Sequence, residues 1–163
     1  MKTIQNKELP EAIITIWQRK GKRLCLQVDG HSMRPYFQKG DAVELFVHEI
    51  NIHALKTGDI IAFLQDNMII VHRYIKKKKW GVQWKVCQRG DHLRGFRWID
   101  AQQIIGTATA IHRKGQRIDL LHGHQILWNR LLGFFGWIWI WGLESHFIKG
   151  FRLKDTIQPK IKK

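Results

Sequence analysis

Three polar residues occupy settings in which side chains can do chemistry: Ser32, His72 and Asp91. Ser32 lies in the segment GHSMRP, where the glycine and the proline favour the fixed, non-helical loop that nucleophilic serine chemistry needs. His72 ends an apolar run, where a polar ring is costly without a partner. Asp91 lies in the turn QRGD. Taken singly, each also fits an ordinary role, as a turn former, a solvent-facing strand residue or a turn cap.

The composition of the 163-residue chain favours an anionic partner. Lys and Arg total 28 against 13 Asp and Glu, which gives a formal charge of +15. Such a surplus is typical of proteins that contact nucleic acid, an anionic lipid surface or an acidic substrate. The two cysteines, Cys25 and Cys87, are too few for a disulfide scaffold or a thiolate cluster, and we expect both to be buried. We expect no cofactor and no metal, because the pair His122 and His124 lacks a third ligand.

The elements that must position these residues are mainly β-strands. Turn residues punctuate short apolar runs, which predicts strands over 23–28, 42–47, 59–65, 68–75, 82–88 and 104–112. Asp66-Asn67 predicts a tight hairpin turn, and Lys76–Lys79 predicts the exposed tip of a second hairpin. Helical spacing of apolar residues over 7–20 predicts a short amphipathic helix. The chain therefore divides into an N-terminal helix (1–21), a β domain (22–120) and a C-terminal segment (121–163).

The C-terminal segment is apolar and rich in tryptophan. Residues 126–143 carry four tryptophans and are interrupted only by Asn129 and Arg130. The uninterrupted run, 131–143, is shorter than the roughly 20 residues of a membrane-spanning helix. Tryptophan prefers the headgroup zone, and the lysines and arginines after residue 148 suit an anionic leaflet. We expect a peripheral membrane-surface segment; a helix that packs on the core, with a solvated basic tail, is the alternative.

Five segments, in order along the chain, resemble the conserved boxes of the signal peptidase I family: GHSMRPYFQKGD, GDIIAF, IIVHR, QRGD and IIGTA. More broadly, they resemble the superfamily that joins signal peptidases to self-cleaving repressor proteases. The resemblance covers about residues 22–112. It implies the coiled β-sheet protease fold of that family and a serine endopeptidase. The substrates implied are signal or leader peptides, or small precursor peptides, with small side chains next to the cut.

The resemblance also implies roles for individual residues. Ser32 matches the nucleophile, and its backbone N–H matches an oxyanion donor. His72 matches the position of the general base, which is lysine in typical bacterial enzymes and histidine in the archaeal and endoplasmic-reticulum type. A histidine accepts a proton at neutral pH but needs an orienting group, for which Asp91 is the best candidate. Residues expected to support the loop are Gly30, Met33 and Pro35; secondary candidates are Asp41, Asp59 and Arg73.

Two departures from the family pattern bear on these roles. Gly30 stands where signal peptidases often have a serine that contributes to the oxyanion site, and the box of Asp91 reads GDHL instead of GDN. In addition, a proline and acidic residues follow Met1–Lys7, which predicts no secretory signal. We expect the tryptophan-rich segment to replace the family's usual N-terminal membrane anchor.

A catalytically inactive or regulatory basic module on the same fold, binding nucleic acid or anionic membrane, is the alternative function. The charge and the aromatic residues fit phosphate contact and base stacking. Nucleic acid is nevertheless disfavoured, because the repressor branch carries a helix-turn-helix that one N-terminal helix cannot supply. That branch also uses a lysine base, where this chain has His72. The sequence leaves the substrate, the side of the membrane and the oligomeric state open.

Overall fold

A computed structural model describes the backbone of residues 3–4 and 11–151 and the side chains of 12–123 and 125–138. The first helix is α1 (Glu11–Lys20), and α2 (Gly123–Phe151) follows the last strand. A 3-10 turn occupies Ala101–Gln103. The strands are β1 (Thr3–Ile4), β2 (Lys22–Gln27), β3 (Ala42–Val47), β4 (Ile60–Gln65), β5 (Met68–Trp80), β6 (Gln83–Arg89), β7 (Arg97–Asp100), β8 (Ile104–Arg113) and β9 (Gln116–Asp119).

The described strands form one sheet in the order β1-β2-β3-β8-β4-β5-β6-β7, with β9 paired to β8. All pairs are antiparallel except that of β1 with β2. The prediction of a mainly β chain with a helix at each end is confirmed. The part of the predicted first helix before residue 11 and the basic tail after residue 151 lie outside the described residues.

Of the two hairpin turns predicted from the sequence, the structure has the first at the predicted residues and the second at other residues. Asp66 and Asn67 both have positive φ, 51° and 58°, which is the conformation of a tight two-residue hairpin turn. The second prediction was wrong: Lys76–Lys79 belong to β5, and the turn follows at Gly81. Two of these lysines contact neighbouring segments: Nζ of Lys76 lies over the ring of Trp98, and Nζ of Lys77 donates to the carbonyl of Ile52 at 2.8 Å.

The main core lies where α1 and the nucleophile loop (His31–Phe37) cover the sheet. It contains Ile14 of α1, Leu45 of β3 and Ile105 of β8, together with Met33 and Phe37 of the loop. Both loop residues are at most 3% exposed, so the loop is anchored in the core. A smaller cluster around Phe63 and Val86 fills the region between β4, β5 and β6. Cys25 and Cys87 are buried, as predicted.

Helix α2 packs on the β domain through its polar and smallest residues. A Cβ on Gly58 would lie 2.1 Å from the carbonyl oxygen of Asn129, and a Cβ on Gly133 would lie 2.5 Å from the Cα atom of Gly58. The two backbones therefore touch, which only glycine permits at these positions. Arg130 adds contacts from its Nη1 to the carbonyl oxygens of Lys56 (3.0 Å) and Thr57 (2.9 Å).

The opposite face of α2 presents large apolar side chains to solvent. Leu127 and Phe135 are more than 60% exposed, and Trp128 and Phe134 more than half exposed. Contiguous exposed apolar faces of this kind are typical of interaction surfaces. No helix in the described part of the chain combines the length and apolarity that crossing a membrane requires.

Candidate active site

The nucleophile loop lies in the segment that connects β2 to β3, and a hydrogen bond joins the two ends of this segment. The N–H of Val28 donates to the carbonyl of Asp41 (2.8 Å), which holds the two ends of the loop together. Within the loop, Phe37 N–H donates to Met33 C=O at 2.9 Å, and the Arg34-Pro35 peptide bond is cis. Because Met33 and Phe37 are buried in the core, Ser32 is held at a fixed place above the sheet.

The structure brings Ser32 and His72 together. The Oγ atom of Ser32 lies 2.9 Å from Nε2 of His72, although forty residues separate them. His72 lies in β5 opposite Ile61 of β4, and its ring packs edge-on against Phe63. The side chain is only 8% exposed. A hydroxyl that donates to a nearly buried imidazole is the contact that activates a serine nucleophile.

The second ring nitrogen of His72 contacts Gln88, a residue that the sequence analysis did not single out. Oε1 of Gln88 lies 2.6 Å from Nδ1 of His72, and Gln88 is 2% exposed. Because an amide oxygen only accepts, Nδ1 carries the ring proton and Nε2 has its lone pair directed at Ser32. Gln88 therefore occupies the place that a carboxylate has in a Ser-His-Asp triad.

The pKa of His72 is lowered from its usual range. Burial is the main cause, since it penalises the imidazolium form. The hydrogen bond with Gln88 and the negative charge of Asp91 act in the other direction, and the positive charge of Arg97 adds to the lowering. At neutral pH the ring is therefore unprotonated and able to accept the proton of Ser32.

Asp91 does not occupy the position expected of it, because its carboxylate binds Arg73. The Arg73 guanidinium donates from Nε to Oδ1 (2.8 Å) and from Nη2 to Oδ2 (2.6 Å) of Asp91. Arg73 is 1% exposed, so this is a buried bidentate ion pair on the face of β5 opposite to His72. The guanidinium also lies over the ring of Tyr36, 5.1 Å from its centroid.

The residues on either side of Asp91 hold the nucleophile instead. The N–H of His92 donates to the carbonyl of Ser32 at 2.8 Å. Gly90 lies so close that a Cβ there would be 2.6 Å from the Ser32 carbonyl oxygen and 3.0 Å from its Cβ atom. The QRGD segment thus supports Ser32 through a glycine and a backbone amide.

The secondary candidates Asp41 and Asp59 hold loops in place. Arg113 donates to both oxygens of Asp41, at 2.9 and 2.7 Å. Burial alone would raise the pKa of Asp41, but the bonds from Arg113 and from Gln38 N–H lower it. Asp59 accepts from Lys56 N–H (2.8 Å) and from Arg130 Nη1 (2.6 Å), which ties α2 to the turn before β4.

Arg73 links α2 to the site. Its Nη1 donates to Gly58 C=O (2.9 Å) and to Oδ1 of Asn129 (3.0 Å), while Asn129 Nδ2 donates to Leu120 C=O. Asn129 is 5% exposed. The polar interruption of the apolar segment is thus a buried contact with the strand that carries His72.

A cavity of about 310 Å³ opens beside Ser32 and His72. Gly30 and Met33 line it, whereas Pro35 borders a different cavity, under Trp128 of α2. Most of the wall is apolar and comes from the end of β2, the nucleophile loop, the start of β3 and the start of β5: Leu26, Val28, Phe37, Val43, Ile69 and Val71. Because β6 pairs with β5 only from Arg73 onward, residues 69–72 border the cavity as an extended segment.

The described residues include no group of three or more histidine, cysteine or acidic residues arranged to hold a metal ion. His122 Nδ1 contacts Oδ1 of Asp119 at 3.2 Å, and the side chain of His124 lies outside the described residues.

Comparison with known proteins adds one finding to this geometry. The model of the family described as Peptidase S24-like matches residues 2–83, half of the chain. The chain belongs to the Peptidase S24-like family. The matched range contains Ser32 and His72 but ends before Gln88 and Asp91. Membership supports a serine peptidase or a self-cleaving protease, and it agrees with the superfamily resemblance of the sequence. No curated protein matched the chain.

Proposed function

We propose that this Peptidase S24-like protein is a serine endopeptidase with Ser32 as nucleophile and His72 as general base. The distance of 2.9 Å between Ser32 Oγ and His72 Nε2 carries the proposal. The Gln88 contact supports it, because it fixes the tautomer that leaves Nε2 free to accept a proton. The burial that keeps the His72 ring neutral supports it as well.

The reaction follows from these positions. His72 Nε2 takes the Ser32 proton as Oγ attacks the scissile carbonyl, and the backbone N–H of Ser32 donates to the oxyanion. The imidazolium then gives its proton to the leaving amine, and the acyl-enzyme forms. A water molecule, deprotonated by the same nitrogen, releases the acid and restores Ser32. Gln88 holds the ring in place throughout.

The proposed substrates are signal or leader peptides, or small precursor peptides, bound in extended form. The apolar cavity beside Ser32 would take the side chains before the cut, and the extended segment 70–72 offers backbone groups for strand-like pairing. The family resemblance adds the expectation of small side chains next to the cut.

We propose that the outer face of α2 holds the protein on an anionic membrane surface. The exposed aromatic residues of this face suit the headgroup zone, and the net charge of +15 suits anionic lipid. Co-sedimentation with vesicles of anionic or zwitterionic lipid tests this. Leu127→Gln with Phe135→Gln should reduce binding to the anionic vesicles severalfold, whereas the control Val82→Gln, at an exposed hairpin turn, should not. Equal binding by all variants would contradict it.

The peptidase proposal is tested with a peptide library analysed by mass spectrometry. The wild-type protein should cleave peptides with small residues before the cut, and Ser32→Ala should abolish cleavage without changing the melting temperature. The chain offers a matched control, because its second serine is Ser145 in α2; Ser145→Ala should cleave like the wild type. If the wild type cleaves nothing but shifts an oligonucleotide in a salt-dependent way, the binding-module alternative holds instead.

A further inference from the structure

A second cavity lies next to His72, on the side away from the apolar one. It measures about 380 Å³ and is lined by Gln88 and by three arginines, Arg89, Arg94 and Arg97, in addition to the His72 ring. Neither aspartate nor glutamate is among its lining residues. A cavity walled by cations with no acid to neutralise them attracts an anionic group.

Two of the arginines are available to such a group. Arg94 and Arg97 are exposed, and among the described residues their guanidinium groups have no hydrogen bond or ion pair. Arg89 is directed differently, because its Nε donates to the carbonyl of Leu93 at 3.0 Å. The neighbouring acid, Asp91, has both carboxylate oxygens bound by Arg73. The positive charge of Arg94 and Arg97 is therefore not compensated from within the site.

The position of the cavity says which part of a substrate enters it. The apolar cavity is lined by both Ser32 and His72, whereas the arginine-lined cavity is lined by His72 and Gln88 but not by Ser32. In a serine peptidase the base also protonates the leaving amine, so the residues after the cut pass along the histidine side. The arginine-lined cavity therefore faces the leaving-group portion of the substrate.

We propose that the arginine-lined cavity is a specificity site for an acidic side chain within the first three residues after the cut, held by Arg94 and Arg97. This inference rests on the proposed peptidase function and names its substrate class: peptides that are apolar before the cut and acidic after it. Guanidinium groups bind carboxylates through charge-assisted hydrogen bonds, often two at once.

The test compares Asp with Asn, which have nearly the same shape, at each of the three positions after the cut. All peptides are acetylated and amidated, so that side chains carry the only carboxylates. With wild-type protein, Asp at one position should raise kcat/KM about tenfold over Asn, the gain expected from one charge-assisted contact. Arg94→Gln and Arg97→Gln should each reduce that ratio, and the double variant should bring it near one.

Lys79→Gln is the matched control, because it removes one positive charge from an exposed part of β5 outside the cavity. Its Asp-to-Asn ratio should equal that of the wild type. A ratio that falls equally in Lys79→Gln would reduce the effect to net charge and overturn the proposal. So would a wild-type ratio of one at all three positions.

Binding to Ser32→Ala separates failure of this inference from failure of the peptidase proposal. Fluorescently labelled decapeptides, apolar in the first half and carrying Asp or Asn in the second, are titrated by anisotropy. Tighter binding of the Asp peptides, lost in Arg94→Gln with Arg97→Gln, supports the acidic site even if no cleavage is found. Equal binding of Asp and Asn peptides overturns it. Displacement of the Asp peptide by an equimolar thymidine decamer also overturns it, in favour of phosphate.

Discussion

Oε1 of Gln88 lies 2.6 Å from Nδ1 of His72, on the side of the ring away from Ser32. An amide at this place orients the imidazole without adding a negative charge beside it. The ring is fixed in the productive tautomer, yet the imidazolium gains less electrostatic stabilisation than a carboxylate would give. A Ser-His pair with a neutral orienting residue should therefore have distinct mutational and pH behaviour.

Replacement of Gln88 tests this arrangement. Gln88→Glu places a carboxylate at the same ring nitrogen, which should raise the pKa of His72 and move the acid limb of kcat/KM upward by about one pH unit. Gln88→Leu leaves the ring without an acceptor, and kcat/KM should fall about 100-fold as the tautomer is lost. Circular dichroism melts of both variants serve as the control for folding. An unshifted acid limb in Gln88→Glu would contradict the assignment.

The buried state of His72 predicts how the wild type responds to pH. Burial lowers the pKa of His72, so the acid limb of kcat/KM should have its midpoint below pH 6.5, the ordinary value. The unfolded chain binds the proton more readily than the native one. The stabilisation from the neutral ring is therefore present above pH 6.5 and is lost as the pH falls through the native pKa. Urea unfolding of wild type and His72→Asn between pH 7.5 and 5 measures this loss of stability. An acid limb of kcat/KM with its midpoint above pH 7 would refute the lowered pKa of His72.

The Arg73–Asp91 pair predicts a loss of stability. Arg73 is buried, so Asp91→Ala strands a charge and should lower the free energy of unfolding by about 3 kcal/mol. The matched control is the more exposed pair Lys85–Asp100, with Nζ and Oδ1 2.6 Å apart. Lys85→Met should cost less than about 1 kcal/mol. The free energy of unfolding is measured by urea unfolding. Similar losses in both variants would mean that the charge of Arg73 does not depend on Asp91 for its stabilisation, and would contradict the prediction.

The backbone contact of α2 predicts an unusual effect of a helical glycine. Gly→Ala inside a helix ordinarily stabilises it by about 1 kcal/mol. At Gly133 the added Cβ meets the backbone of Gly58, so Gly133→Ala should lower the melting temperature and expose α2 to limited proteolysis. Gly136→Ala on the same helix meets side-chain ends, Cδ1 of Ile75 at 3.0 Å and Nη1 of Arg89 at 3.9 Å, and should be milder. Equal behaviour of the two variants would show that the docked position of α2 is wrong.

Gln88 lies beside His72 where Asp91 was predicted, and the cause of this difference is not visible in the sequence. From Trp80↔Gln83 to Lys76↔Cys87 the register of β5 and β6, continued unbroken, would set His72 opposite Asp91. A bulge between Tyr74 and Lys76 shifts the register, so that Arg73 pairs with Arg89. One residue of shift moves every later side chain to the other face, which turns Asp91 toward Arg73. The types of residue were visible in the sequence, but the bulge was not.

Local chemistry was easier to predict than contacts between distant elements. The Asp66-Asn67 turn and the strands on either side follow from residue types a few positions apart. The sequence did not predict the short strands β7 and β9. Each contains only four residues and pairs with a single neighbouring strand, so the local pattern of apolar residues is weak. The apolar run of α2 was visible too, but the burial of Asn129 against Arg73 depends on tertiary packing.

Peptide hydrolysis at this site requires Ser32 to be an activated nucleophile, and a fluorophosphonate reagent tests this without knowledge of the substrate. After incubation at pH 7.5, peptide mapping by mass spectrometry should find the phosphonyl adduct on Ser32 alone. His72→Asn should suppress the adduct, while Ser145→Ala should leave it unchanged. Peptide cleavage that persists in Ser32→Ala, or an adduct that forms equally well in His72→Asn, would contradict the account.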